Sequence, residues 1–121
     1  MTYQRRFHEA VQILGGRWMI AVLAELAVGE VQYKELLAMV NEAETRPGNG
    51  ADVRPLSDQS LTQTLKRAVE HGLVIRREEP GQIKKTFYRL TAKGESGLLS
   101  TRSLIQWAQE FDEDEADEES A

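Results

Sequence analysis

Residues 57–90, SDQSLTQTLKRAVEHGLVIRREEPGQIKKTFYRL, change their hydrophobic period halfway along, and that change limits what the chain can become. In the first half Leu61, Leu65, Ala68 and Val69 recur at helical spacing. Ser57 stands where an N-cap hydroxyl takes up a free amide, and Asp58 puts negative charge beside the first turn. Leu56 and Leu61 occupy the staple positions on either side of the cap. Gly72 closes the pattern as a C′ residue. Leu73-Val74-Ile75 then leads into Arg76-Arg77-Glu78-Glu79, Pro80-Gly81 is a turn signal, and residues 83–90 return as a strand rich in β-formers. Helix, glycine, strand, turn, strand is the plan of a winged helix. The expected fold is therefore mainly α (α+β): a winged helix-turn-helix with a two- or three-stranded wing sheet and terminal dimerisation helices.

The polar face of that helix carries side chains that reach. Gln59 and Gln63 suit the donor–acceptor edge of adenine and Lys66 suits guanine O6 or N7, with Ser60 and Thr62 beside them as further base-reading candidates. Contacts to a nucleic-acid backbone are expected from Ser57 and Arg67 on the helix and from Arg76, Arg77, Lys84, Lys85 and Arg89 on the wing. Strand alternation means that not all the wing cations share one face, which favours the tip pair Lys84 and Lys85. The plainer reading of each is a solvated surface charge.

The net composition at first opposes this reading. The net charge is −5, but its distribution is uneven. Residues 54–93 hold nine Lys/Arg against four Asp/Glu, whereas residues 94–121 hold one Arg against nine acids. A basic patch thus sits next to an acidic tail, and binding answers to the local field. There is no cysteine, so disulfides, thiolate ligands and thiol redox chemistry are excluded. His8 and His71 are far apart and lack metal-ligand spacing. No targeting or membrane-spanning segment is visible, which makes a cytoplasmic protein the expectation.

Around the central stretch, residues 3–14 read as a helix with an apolar stripe of Phe7, Ala10, Val11 and Leu14. Gly15-Gly16 breaks it. Residues 17–28, RWMIAVLAELAV, read as a helix apolar nearly all round and so central in the domain. Residues 31–33 suggest a short strand against the wing. A helix to Val40 follows, the positioning member of the helix-turn-helix, with Tyr33 and Lys34 placed for phosphate contacts. Residues 41–55, NEAETRPGNGADVRP, read as a loop insertion. Thr91 caps one last long helix with an apolar run that includes Leu98, Leu104, Ile105, Trp107 and Phe111. Together with Phe7 and Val11, these are the expected interface of a homodimer. Domain 1–111 is then followed by an acidic, disordered tail, 112–121.

The runs ILGGRWMIAVLAEL, YKELLAMV, SDQSLTQTLKRAVEHGLVIRR, FYRLTAKGESGLL and IQWAQEF together resemble the HxlR-type winged-helix transcription regulators over about residues 5–111. The resemblance implies a dimeric regulator, bacterial or archaeal and nucleoid-associated, that binds double-stranded DNA. The recognition helix would match 57–71, the wing 76–89, and the dimer helices the first helix and 95–111. Some members sense through an N-terminal cysteine; this chain has none, so that mechanism does not carry over. Its insertion at 41–55 is longer than the usual connection. The competing readings are a winged-helix module that binds another protein, with DNA binding weak or lost, and an enzyme, for which no motif is present. No cofactor is expected. An unidentified small-molecule effector, held near Trp18, Trp107 and Phe111, is a further expectation.

Overall fold

The computed structural model describes residues 2–44 and 54–120, with side chains as far as Phe111. In chain order the elements are α1 (Tyr3–Leu14), α2 (Met19–Leu26), β1 (Val31–Gln32), α3 (Tyr33–Glu44), α4 (Asp58–Glu70), β2 (Val74–Glu79), β3 (Lys85–Leu90), α5 (Ala92–Ser100) and α6 (Arg102–Ser120). The sheet has the order β1-β3-β2 with both pairings antiparallel. Val31 lies opposite Tyr88, and Val74 lies opposite Leu90. This is a winged helix-turn-helix: α3 and α4 form the helix pair and β2–β3 the wing.

The core explains the arrangement. Met19, Val22, Leu23 and Leu26 of α2 are buried against Leu36 and Val40 of α3 and Leu61, Leu65 and Ala68 of α4. Leu73, Val74, Tyr88 and Leu90 close it from the sheet. Burial of α2 on nearly every side follows from its near-continuous apolar sequence. Gly94, in the first turn of α5, sits so close to the wing that an added Cβ would meet the Leu73 carbonyl oxygen at 2.0 Å. This residue, a poor helix former by propensity, is what lets α5 lie against the start of β2.

The structure departs from the sequence reading at element ends. Helix α2 begins only at Met19, with Trp18 as its N-cap residue. Helix α3 runs through Glu44, so residues 41–44 of the expected loop are helical. Their helicity is anchored by Asn41, whose side-chain amide donates to the Leu56 carbonyl and whose Oδ1 accepts from the Leu56 amide. Residues 45–53 of that expected loop lie outside the described residues. Strand β3 starts at Lys85, which leaves Ile83 and Lys84 in the connection between the strands.

The expected single terminal helix is two. At the break, the Ser100 hydroxyl donates to the Gly97 carbonyl (2.6 Å) and the Thr101 hydroxyl to that of Leu98 (2.7 Å). Hydroxyls that bond nearby carbonyls compete with the helical ladder and favour such a break. Helix α6 then runs through Ser120.

Candidate nucleic-acid interface

Helix α4 is fixed at both ends and along one flank. At its start the Ser57 hydroxyl accepts from the Ser60 amide at 3.1 Å, satisfying a donor with no intrahelical partner. At its end Leu73 N–H donates to the Ala68 carbonyl and Gly72 N–H to that of Val69, at 2.8 and 3.0 Å. With Gly72 at φ 72° this is a Schellman closure. Lys93 Nζ then donates to the His71 carbonyl (2.7 Å), and the Thr91 hydroxyl donates to that of Gly72 (2.6 Å). Lys93 belongs to the basic patch by sequence, but its ammonium closes a helix end.

The flank facing α3 is held by Tyr33. Its phenol oxygen lies 3.0 Å from Asp58 Oδ1, 3.1 Å from the Asp58 carbonyl and 3.2 Å from Thr62 Oγ1. A phenol has one proton, and the acceptor-only oxygens of Asp58 take it. The Thr62 hydroxyl therefore donates to Tyr33. Partial burial, more than any single partner, raises the Tyr33 pKa above the ordinary phenol value; the Thr62 bond opposes this and Asp58 adds to it. Tyr33 thus braces α4 through its hydroxyl. Lys34, next to it, is exposed.

Gln59, Gln63 and Lys66 are exposed along one side of α4, and none forms a hydrogen bond or ion pair among the described residues. The other two base-reading candidates are already engaged. Ser60 belongs to the N-terminal cap, its Oγ 3.1 Å from that of Ser57, and Thr62 is spent on Tyr33. Arg67 departs further from expectation: its Nη2 donates to the carbonyls of Gln12 (3.1 Å) and Gly15 (3.4 Å) at the end of α1. It lies on the opposite flank from Thr62 and is half-buried.

The wing sorts its cations by alternation. Arg76 pairs with Tyr88 across the strands, and with Thr62, Leu65, Lys66, Val69, Glu70 and Tyr88 it lines a groove of about 300 Å³ between the wing and α4. Its guanidinium is bonded to Glu78, which lowers the Glu78 pKa below the usual carboxylate value. Arg77 faces the other way, over the Phe87 ring at 4.5 Å and bonded to both carboxylate oxygens of Glu30 at 2.6 and 3.2 Å. That bond, first among the causes, lowers the Glu30 pKa, with the nearby charge of Arg89 assisting. Both ion pairs are solvent-exposed and serve chiefly to orient the side chains. Lys84 and Lys85 at the wing tip and Arg89 on its outer face are exposed without a hydrogen bond or ion pair among the described residues.

Sequence reasoning missed Arg17. Its guanidinium lies 4.9 Å over the Trp18 ring, and both residues line an open cleft of about 570 Å³ with Arg54, Pro55, Ser57 and Ser60. The GGRW run was the available signal. Trp18 therefore borders the start of α4, whereas Trp107 packs against Phe111 on α6 with ring centroids 5.9 Å apart. Within one chain, Trp18 and the Trp107–Phe111 pair thus lie in different places on the described residues. The interface candidates Phe7, Val11, Leu104, Ile105, Trp107 and Phe111 are exposed, Trp107 by 63%, while Leu98 is half-buried against the core. Among the described residues no cluster of acids and histidines suits a metal ion, and no helix is long and apolar enough to cross a membrane.

A three-stranded winged helix whose second helix offers a braced, unbonded polar row defines a helix-turn-helix regulator class. The sequence model of the HxlR-like helix-turn-helix family matches residues 13–116, and the chain belongs to that family. A helix-turn-helix transcriptional regulator of Methanothermobacter thermautotrophicus is 26% identical over 102 residues, 84% of this chain and 68% of that protein. A second, YvaP of Bacillus subtilis, is 27% identical over 106 residues, 88% of this chain and 86% of its own. Among solved structures, a MarR-family regulator from Enterococcus faecalis V583 superposes with a TM-score of 0.76 at 22% identity, covering 96% of this chain and 94% of that one. Diamide-treated YodB of B. subtilis gives 0.67 at 24% identity, covering 92% and 95%. These matches are transcriptional regulators, not enzymes.

Proposed function

We propose that the chain is a sequence-specific, double-stranded-DNA-binding transcriptional regulator that acts as a homodimer, with α4 in the major groove and the wing along the backbone or minor groove. The observation that carries this reading is the row Gln59, Gln63 and Lys66: exposed, unbonded, and borne on a helix whose position is fixed at both ends. The two amides read adenine edges and Lys66 reads guanine. Lys84 and Lys85 neutralise phosphate without selecting sequence. Two copies are required because reading successive major-groove faces needs two such helices about 34 Å apart. The exposed apolar residues of α1 and α6 supply a surface for that pairing.

The test is a fluorescence-anisotropy titration against DNA upstream of the protein's own gene and its neighbours, with scrambled DNA as control, at several salt concentrations. Saturable binding far tighter than to the control, with a steep salt slope, is the expected outcome. Gln63→Ala then costs about 1–3 kcal/mol at one cognate base pair and little elsewhere. If the base preference of this variant matched the parent's, the docking of α4 would be wrong. No binding even at low salt would transfer the reading to a protein-interaction module.

A further inference from the structure

The contact of Arg67 with α1 has no part in reading DNA, yet it comes from the residue next to Lys66. Its Nη2 reaches the carbonyls of Gln12 and Gly15, at the end of a helix that has no basic residue in its own last turn. Carbonyls at a helix C-terminus lack intrahelical donors and carry the negative end of the helix dipole, so a guanidinium there is favoured on both counts. The Gly-Gly break is shaped around the same group. Gly16 has φ 96°, a conformation L side chains rarely adopt, and a Cβ there would lie 3.3 Å from Arg67 Nη1. A Cβ on Gly15 would collide with the Val11 carbonyl oxygen at 2.2 Å. The turn is therefore built to bring the end of α1 onto the reading helix.

Helix α1 has no buried residue, and its Tyr3, Phe7 and Val11 are exposed. Ile13 and Leu14, at its end, pack partly buried against the core, whereas the Tyr3, Phe7 and Val11 row is left open for a second copy. We propose that Arg67 is a positioning residue that ties the orientation of α4 to that of α1, so that occupation of the α1 face by a second copy sets the presentation of Gln59, Gln63 and Lys66. This rests on the DNA-reading function proposed above. Because Arg67 acts through backbone carbonyls and not through phosphate, it contributes affinity without contributing to counterion release.

The test compares the full chain with Arg67→Met and Arg67→Lys, by DNA titration over a range of salt and by amide hydrogen exchange. Arg67→Met is expected to weaken specific binding about tenfold while the slope of log K against log salt stays that of the parent. Exchange should quicken at residues 12–16 and in α4. Arg67→Lys keeps the charge and recovers part of both, and serves as the readout if the Met variant fails to fold. A salt slope reduced by about one unit would make Arg67 a phosphate ligand and overturn the proposal. So would parent-like affinity together with parent-like exchange at 12–16. If the parent chain bound no DNA, the reading-helix function would fall, and with it the functional half of this inference. The exchange measurement would still decide whether Arg67 couples the two helices.

Discussion

Helices α4 and α6 are both amphipathic, yet the chain treats them in opposite ways. Leu61, Leu65 and Ala68 of α4 are fully or almost fully buried, and Ser57, Gly72, Thr91, Lys93, Tyr33 and Arg67 hold its ends and flanks. Helix α6 exposes Leu104, Ile105, Trp107 and Phe111, and the contacts that fix it are mainly those with α5. The position of α4 is therefore a property of one chain. The exposed apolar row of α6 is the kind of surface that interaction sites use. The function proposed above, a regulator that reads DNA as a pair, calls for both kinds of helix: one prepared before binding, and one left for assembly.

The contrast breaks most readily at the core end. Leu65→Ala removes a side chain that is 2% exposed, and is expected to cost about 2–5 kcal/mol, the transfer term plus a residual cavity. Urea denaturation followed by far-ultraviolet circular dichroism measures it. A cost within about 0.5 kcal/mol, typical of surface positions, would mean that α4 is not anchored by its apolar face.

On α6 the expected pattern reverses. Trp107→Ala should leave the fold of the chain intact but weaken self-association by about 2 kcal/mol or more, the range for a buried aromatic anchor at an interface. Sedimentation equilibrium over a concentration series reads this directly. Unchanged association would show that the Trp107–Phe111 pair faces solvent, or some other partner, in the working protein.

The same contrast explains how much was legible in the sequence. The period change between Ser57 and Leu90 announced α4 and the wing because burial there is decided by neighbours in the same chain. Tyr3–Leu14 was legible as α1 for a local reason too: a helical run ended by two glycines. Cation roles were not legible. Arg67, Arg77 and Lys93 counted equally toward a basic patch, and only three-dimensional proximity to the Gly15 carbonyl, Glu30 and the His71 carbonyl shows that each has a partner within the chain. The length of α3 was misread for a related reason. Asn41 scored as a loop former, while its partner, the backbone of Leu56, lies on the far side of residues 45–53. The break at Thr101 depends on hydroxyl–carbonyl bonds for which the spacing of apolar residues carries no signal.

The smallest effect concerns how α3 braces α4, and pH isolates it. The Tyr33 phenol has a folded pKa above its ordinary value, chiefly because partial burial disfavours the phenolate, with Asp58 adding to this and Thr62 opposing it. A raised folded pKa means that the protonated phenol's contribution to stability is complete below the unfolded pKa of about 10, and is lost as pH rises through the folded value. Stability should therefore fall with pH above about 10, and Tyr33→Phe should lessen that fall, since phenylalanine has no proton to lose. At neutral pH the same substitution leaves Thr62 without its acceptor and costs about 0.5–1.5 kcal/mol, the net worth of one ordinary hydrogen bond. Thermal unfolding of both proteins between pH 7 and about pH 10.5 separates the two effects. A parallel alkaline decline in parent and variant would place the titration elsewhere and leave Tyr33 as a packing contact only. A shallower decline in Tyr33→Phe would show that α4 is held in part by an uncharged phenol.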